Sequence, residues 1–361
     1  MAKIKDVAER AGVSPATVSR VLSGTPGVRP ASRERVLQAV AELDYRPNRL
    51  GRNLRTQTSD TLGVVVSDIE NPHFTQMVRA VEDAAYRRGF RVLLCNTDET
   101  PEKQRAYLHV LAAERVVGVI LAPSDPADVA IGELLDMGIP VLAFDRIVDD
   151  PRADAVVADN VDGSRRATEH LIAAGHTRIG FVGGLAAIQT GAERLAGYEA
   201  AMREHGLDAH VANGEFRIEP AQRAAEELLD AHLDLTGLVV ANNLMTIGAL
   251  RALRGRGVSV PGDIALVAID DPPWAELVDP PLTTLAQPVR RMAESAVNVL
   301  FERVGRAKGA TERGLARATQ VVFPFELRVR GSCGTARAHL GDGLRLVGGS
   351  GDRGKRSGVR S

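Results

Sequence analysis

Aromatic side chains are scarce in this sequence, 4% of 361 residues with a single tryptophan, so an aromatic at a pocket-like position carries unusual weight. Cysteine is rarer still. Two residues, Cys95 and Cys333, exclude a disulfide framework and a cysteine-based zinc cluster, and both thiols are expected to be reduced. No stretch approaches the roughly 18 uncharged apolar residues that span a bilayer, and the opening Met1–Asp6 carries no apolar h-region of a signal peptide. A cytoplasmic chain with no membrane partner is therefore expected. Catalytic patterns are missing as well. No nucleophile elbow or P-loop stands out, and Gly180-Phe181-Val182-Gly183-Gly184 lacks the dinucleotide spacing. The histidines are scattered without a metal signature, and Asp149-Asp150 and Asp270-Asp271 read as solvated turns. Neither an enzyme nor a metal or cofactor is expected.

What is present is the composition of a soluble globular protein, 44% hydrophobic and 25% charged. The chain is too long for one ordinary core, so two or three domains are expected. Its net charge of −1 hides an uneven distribution. Residues 1–59 hold eleven Lys and Arg against five Asp and Glu, a net of +6; residues 331–361 carry +4, leaving about −11 for the middle. A basic head on an acidic body points to a polyanion partner for the head, or to a plain solvated basic face.

Within the head, Ile4, Val7, Ala8 and Ala11 recur at helical spacing until Gly12. Ser14 can cap the next helix and Pro15 suits its first turn, where the missing N–H costs nothing. Val18, Val21 and Leu22 form its buried stripe, turning Pro15, Ala16, Thr17, Ser19 and Arg20 outward. A third helix is expected from Ala31 to Leu43 with Val36, Leu37, Val40 and Leu43 inward. This is a helix-turn-helix, whose second helix enters the DNA major groove by its N-terminal end. Short side chains there let the backbone approach, and Arg20 can reach a base edge or a phosphate.

The string from Ile4 to Leu22 resembles the head of the LacI/GalR family of bacterial regulators, a lambda-repressor-like all-α domain. Tyr45-Arg46-Pro47-Asn48-Arg49-Leu50-Gly51-Arg52-Asn53-Leu54-Arg55-Thr56 resembles that family's hinge helix. The resemblance implies that the hinge folds on the operator, with Leu54 as a wedge in the minor groove and Asn48, Arg49, Arg52 and Arg55 as its contacts. A polar linker whose leucine packs on the core is the plainer reading. Gly51 stands where the family has alanine, at a cost of about 1 kcal/mol in a helix interior; Gly51→Ala is expected to tighten operator binding and blunt induction.

After Asp60 apolar strands alternate with amphipathic helices. Strand-like runs are Thr61–Ser67, Arg91–Cys95, Val117–Ala122, Val141–Phe144, Ala155–Ala158, Ile179–Gly183, Gly237–Ala241 and Ile264–Ile269. The pattern implies parallel sheets wound on both faces, in two similar lobes with a ligand cleft between them. Residues 61–330 resemble the family's periplasmic-binding-protein-like α/β core, two doubly wound parallel-sheet lobes joined by three crossings. The expected layout is a helix-turn-helix domain over 1–46 and a hinge over 47–60. Lobe 1 takes 61–158 and 287–319, lobe 2 takes 159–286 and 320–330, and a disordered tail follows over 331–361.

Effector candidates come from strand ends. His73 and Phe74 follow the first strand, Asp145 and Arg146 the fourth; Thr190 and Arg194 open a helix; Asn243, Asp270 and Trp274 follow later strands, and Phe216 offers an aromatic face. A sugar needs planar polar groups for vicinal hydroxyls and an aromatic wall for its C–H face. Each has a plainer alternative: Arg194 pairing with Glu193 or Glu199, Phe74 as core, Trp274 as lobe packing, His73 as a loop cap. Ile188 places an apolar group where some family members carry a charged contact, which favours a sugar or sugar derivative over a nucleobase. The resemblance thus implies a repressor binding a palindromic operator in double-stranded DNA on the nucleoid, as a homodimer or a tetramer of paired dimers, under a small-molecule effector. A purine- or other metabolite-responsive regulator and a solute-binding protein are the alternatives.

Overall fold

The computed structural model describes residues 2–22, 26–45, 59–309 and 318–334. The chain divides into two compact units between Ser59 and Asp60.

The first unit holds α1 (Ile4–Ala11), α2 (Pro15–Leu22) and α3 (Pro30–Glu42). Gly12 ends α1 with φ 61°, a left-handed cap that glycine adopts without a Cβ clash. Ser14 Oγ then accepts the Thr17 N–H at 3.2 Å, satisfying a donor that the helix start leaves unpaired. Val7, Ala8, Ala11, Val18, Val21, Val36 and Ala39 close into one core. Leu37, expected inward, is 51% exposed. It lies 100° around the helix from Val36, and Ala39 fills the place between Val36 and Val40. Arg10 on α1 pairs with Glu42 on α3 at 2.7 Å across the outside.

The second unit contains two six-stranded sheets. The first runs in the order β11-β5-β4-β3-β1-β2, with β1 Thr61–Val66, β2 Arg91–Asn96, β3 Val119–Leu121, β4 Val141–Phe144, β5 Asp154–Ala158 and β11 Gln320–Phe323. The second runs β12-β10-β9-β8-β6-β7, with β6 Ile179–Gly183, β7 His210–Asn213, β8 Gly237–Val240, β9 Ala265–Ile269, β10 Thr283–Ala286 and β12 Glu326–Arg328. Every pairing is parallel except β10 with β12. Central strands such as β3, β8 and β9 are buried along their whole length, because helices cover both faces of such a sheet. These helices are α4 (Pro72–Tyr86), α5 (Pro101–Ala113), α6 (Val129–Asp136) and α11 (Val289–Gly309) in lobe 1. Lobe 2 has α7 (Asn160–Ala173), α8 (Gln189–Glu204), α9 (Ile218–Ala231) and α10 (Asn243–Gly255).

The chain passes between the lobes after β5, after β10 and between β11 and β12. The third crossing therefore lies at 324–325 rather than near 320. Gln320–Phe323 completes the lobe 1 sheet by pairing with Ala155–Ala158, so the strand at 320 belongs to lobe 1. Residues 331–334, expected to belong to a disordered tail, are ordered instead, and 335–361 lie outside the described residues. Residues Gly331–Cys333 form a single 3-10 turn, in which Ser332 Oγ accepts the Thr283 N–H at 2.8 Å and donates to the Leu266 carbonyl at 2.6 Å. Backbone groups of β9 and β10 give these residues an ordered place that a Gly- and Ser-rich composition does not reveal.

Candidate functional site

The loops leaving the two sheets share a backbone signature. One residue past β4 stands Asp145 with φ 69°, and one residue past β9 stands Asp270 with φ 73°. Two and three residues past β2 come Asp98 and Glu99, with φ 53° and 56°; at the same offsets past β7 come Glu215 and Phe216, with φ 53° and 58°. Non-glycine residues are uncommon in the left-handed region, where they mark positions held by their surroundings. By strand order β4 corresponds to β9 and β2 to β7. The two lobes thus turn their loops alike and aim matching residues into one cleft.

That cleft encloses about 480 Å³ including its open mouth. Arg146 is its most firmly held cation. Its Nη1 donates to Glu99 Oε2 at 2.7 Å and to the Pro123 carbonyl at 2.9 Å, while Nη2 donates to Glu99 Oε1 at 2.5 Å. Burial works against this guanidinium's charge, and Glu99 more than restores it, leaving its pKa raised. Asp145 lies between three cations. Burial pushes its carboxyl up, but His73, Arg146 and Arg194 hold it below the ordinary carboxylate range. His73 Nε2 sits 3.4 Å from Asp145 Oδ1, close enough to pair but not aligned as a hydrogen bond. Burial favours neutral His73; Asp145, with Asp270 beyond it, overcomes this and raises its pKa. In lobe 2, Gln287 Nε2 donates to Asp270 Oδ1 at 2.8 Å. Arg194 Nε donates to Asn160 Oδ1 at 2.8 Å and Nη1 to the Ala241 carbonyl at 2.6 Å. Asp68 at the mouth is the exception, its carboxyl pushed up by burial that neighbouring groups only partly offset.

Of the ten effector candidates, His73, Phe74, Asp145, Arg146, Thr190, Arg194, Phe216 and Asp270 line this cleft. Arg194 pairs with neither Glu193 nor Glu199 but with the two oxygens just given. Phe74 belongs to the core and the cleft wall at once. Phe216 lies flat on Gly184, where a Cβ would sit 2.1 Å from the ring. Asn243 and Trp274 stand apart. Asn242, the cap of α10, faces the cleft with its Oδ1 on the Met245 N–H at 2.7 Å. Asn243 turns one residue further round, donates to Asn71 Oδ1 at 3.0 Å across the lobes, and lines an adjoining space instead. Trp274 packs half-buried on the core from a 3-10 turn, because that turn carries it past the strand end. Sequence reasoning missed Asp68, Asn71, Glu99, Glu215, Arg217, Asn242 and Gln287. Among the described residues no group of three or more His, Cys, Asp or Glu could hold a metal, and no helix is long and apolar enough to cross a membrane.

In the first unit, Ser14, Pro15, Ala16 and Arg20 are exposed and Thr17 and Ser19 half-buried at the start and outer face of α2. A helix N-terminus with small side chains and a cation one turn on can meet a groove edge. The hinge candidates Asn48, Arg49, Gly51, Arg52, Leu54 and Arg55 lie outside the described residues.

Residues 3–48 match the bacterial regulatory proteins of the lacI family, and residues 168–333 match the periplasmic binding protein-like domain. Over 308 residues the chain is 35% identical to the HTH-type transcriptional repressor PurR of Aliivibrio salmonicida, a match covering 84% of this chain and 92% of that one. Over 304 residues it is 36% identical to the ribose operon repressor of Halalkalibacterium halodurans, covering 84% and 91%. Among solved structures it is similar to the lac repressor dimer bound to operator and an anti-inducer. There the TM-score is 0.80 at 30% identity, and coverage is 92% of this chain and 99% of that chain.

Proposed function

Because the chain belongs to the lacI family of bacterial regulatory proteins, we propose that it is a transcriptional repressor whose operator binding is set by a small neutral sugar, of pentose size, in the cleft between its lobes. The helix beginning at Ser14 reads the major groove through Ser14, Pro15, Ala16, Thr17, Ser19 and Arg20. The hinge over 47–60, with Leu54 as wedge, couples that reading to the lobes. The chain acts on a palindromic operator as a homodimer in the cytoplasm. Exposed apolar side chains at Tyr86, Leu94 and Val110, on edge strand β2 and the helices flanking it, fit a self-associating lobe 1.

One observation carries the choice of a neutral ligand: the buried charges on the lobe 1 side of the cleft are already matched inside the protein. Glu99 neutralises Arg146 and His73 faces Asp145, so an anionic effector would find no uncommitted buried cation of lobe 1. A polyol needs only donors and acceptors in alternation, which carboxylates and guanidinium groups held in fixed planes supply. Phe74 and Phe216 provide apolar walls, and the resemblance to a ribose operon repressor agrees.

The test is a gel shift of the upstream region of its own locus at low salt, with ribose, adenine and guanine in parallel. A shift altered by ribose alone is the expected result. A shift altered by a nucleobase instead overturns the sugar, and no shift under any condition overturns the repressor reading.

A further inference from the structure

Arg194 reaches lobe 1 through a continuous chain of hydrogen bonds. Its Nε donates to Asn160 Oδ1 at 2.8 Å, and Asn160 Nδ2 donates to Glu193 Oε2 at 2.9 Å. From the other side, the Ile147 N–H donates to Gln189 Oε1 at 2.8 Å, and Gln189 Nε2 donates to Glu193 Oε1 at 2.6 Å. Ile147 stands in lobe 1, immediately after the cleft residues Asp145 and Arg146. Gln189, Glu193 and Arg194 lie on α8, and Asn160 opens α7, all in lobe 2.

The polarity of this chain is forced at every link. A guanidinium and a backbone N–H only donate, so each must face an amide oxygen. Both amide NH2 groups then point inward and meet Glu193, which as a carboxylate only accepts. Neither Asn160 nor Gln189 can flip without setting donor against donor and acceptor against acceptor. Gln189 is the single link that touches both lobes. With its carboxamide in place, Glu193 is held by two donors, Asn160 is fixed, and Arg194 presents its remaining N–H groups to the cleft in one orientation.

We propose that Gln189 is a positioning residue, an interlobe latch that couples the lobe 1 loop at Asp145–Ile147 to the orientation of Arg194 in the effector cleft. The coupling to effector rests on the sugar-binding reading above; the latch itself does not. Separation of the lobes at this edge breaks the Ile147–Gln189 bond first, since every other link lies within lobe 2. The Asn71–Asn243 bond ties the lobes elsewhere, so loss of Gln189 loosens one edge without dissolving the arrangement.

The experiment uses the full chain with spin labels at Met137→Cys in lobe 1 and Leu233→Cys in lobe 2. Both positions are exposed, and the native Cys95 and Cys333 are buried. Labelled chain is diluted into excess unlabelled chain, so that only distances within one protomer are read. Gln189→Ala should broaden the interlobe distance distribution. Gln189→Glu should broaden it at about pH 8, where two carboxylates face each other, and narrow it toward the wild-type distribution near about pH 5. There the shared proton restores a donor and an acceptor in the shape of glutamine. Wild type should keep its distribution across that range. A Gln189→Ala distribution equal to wild type overturns the latch, as does a Gln189→Glu distribution that stays broad at the lower pH while wild type stays narrow. With ribose as the probe, Gln189→Ala should bind about tenfold more weakly, one tenfold step being about 1.4 kcal/mol. Equal affinity overturns the coupling to Arg194. Failure of wild type to bind ribose overturns the pentose reading, and the distance measurement still decides the latch.

Discussion

Asp145 of lobe 1 and Asp270 of lobe 2 occupy the same place in two sheets of the same order, each just past its strand and each in the left-handed region. Their surroundings could hardly differ more. Asp145 is buried among His73, Arg146 and Arg194, which together hold its carboxyl below its ordinary range despite burial. Asp270 accepts from the neutral amide of Gln287. The same contrast runs around the cleft: Arg146 of lobe 1 is locked by the carboxylate of Glu99, whereas Arg194 of lobe 2 is held by an amide and a backbone carbonyl. The doubled fold supplies matching positions, and the sequence then gives one lobe an internally neutralised charge cluster and the other a set of neutral-partnered groups. Lobe 1 is built to be rigid in its polarity, while lobe 2 keeps its Arg194 donors available to a ligand.

Replacing each aspartate by asparagine breaks this comparison most sharply, because asparagine tolerates the left-handed backbone and changes only the charge. Asp145→Asn leaves buried cations without their counter-charge and should destabilise the protein by about 3 kcal/mol. Asp270→Asn alters one hydrogen bond to a neutral partner and should cost about 1 kcal/mol. Urea unfolding of the two variants side by side measures both, and equal losses would remove the asymmetry between the lobes.

A pH titration of stability tests the same cluster with a smaller effect. The raised pKa of His73 means that the fold binds its proton more tightly than the unfolded chain does. That contribution is complete below the unfolded value of about 6.5 and is lost as pH rises through the raised folded value. Asp145 has the opposite sense: its lowered pKa contributes above about 3.9 and is lost as pH falls through the lower folded value. In Asp145→Asn, burial of His73 loses its main opposition, so the alkaline loss should shrink or reverse. Chemical denaturation from pH 6 to about pH 9 follows it, and an unchanged slope would show that Asp145 does not set the proton affinity of His73.

These contrasts were only partly legible beforehand. Apolar runs revealed the buried strands β1, β3, β4, β5, β6, β8 and β9, because a strand covered on both faces needs no polar alternation. His210–Asn213 and Gln320–Phe323 escaped for the converse reason: both are edge strands with alternating exposure, and four-residue alternation is too short a signal. Missing β11 is what displaced the third crossing. The cleft residues at strand ends could be named from the alternation of strands and helices, but Asn242 and Asn243 are adjacent in the chain, and only the cap geometry of α10 decides which faces the cleft. Glu99, Glu215 and Gln287 were invisible for a different reason. Their place depends on left-handed turns and on a crossing between lobes, and neither leaves a hydrophobic period.

The comparison can be sharpened further at the position one past β6 and its counterpart one past β1, Gly184 and Ser67. Gly184 has no side chain because the Phe216 ring occupies that space, so Gly184→Ala must drive the ring away from the cleft wall. The expected result is a loss of ribose affinity of about tenfold, near 1.4 kcal/mol, with a modest change in thermal midpoint. Ser67 is fully buried, and its hydroxyl makes no hydrogen bond. Burying a hydroxyl without a partner costs free energy, and alanine removes that cost while leaving a space no larger than one oxygen atom. Ser67→Ala should therefore leave stability unchanged or raise it by up to about 1 kcal/mol, with ribose affinity retained. A loss of affinity in Ser67→Ala comparable to that in Gly184→Ala would mean that this corner of lobe 1 also meets the ligand. The effector wall would then be shared between the lobes, and Phe216 would not be its dominant apolar face.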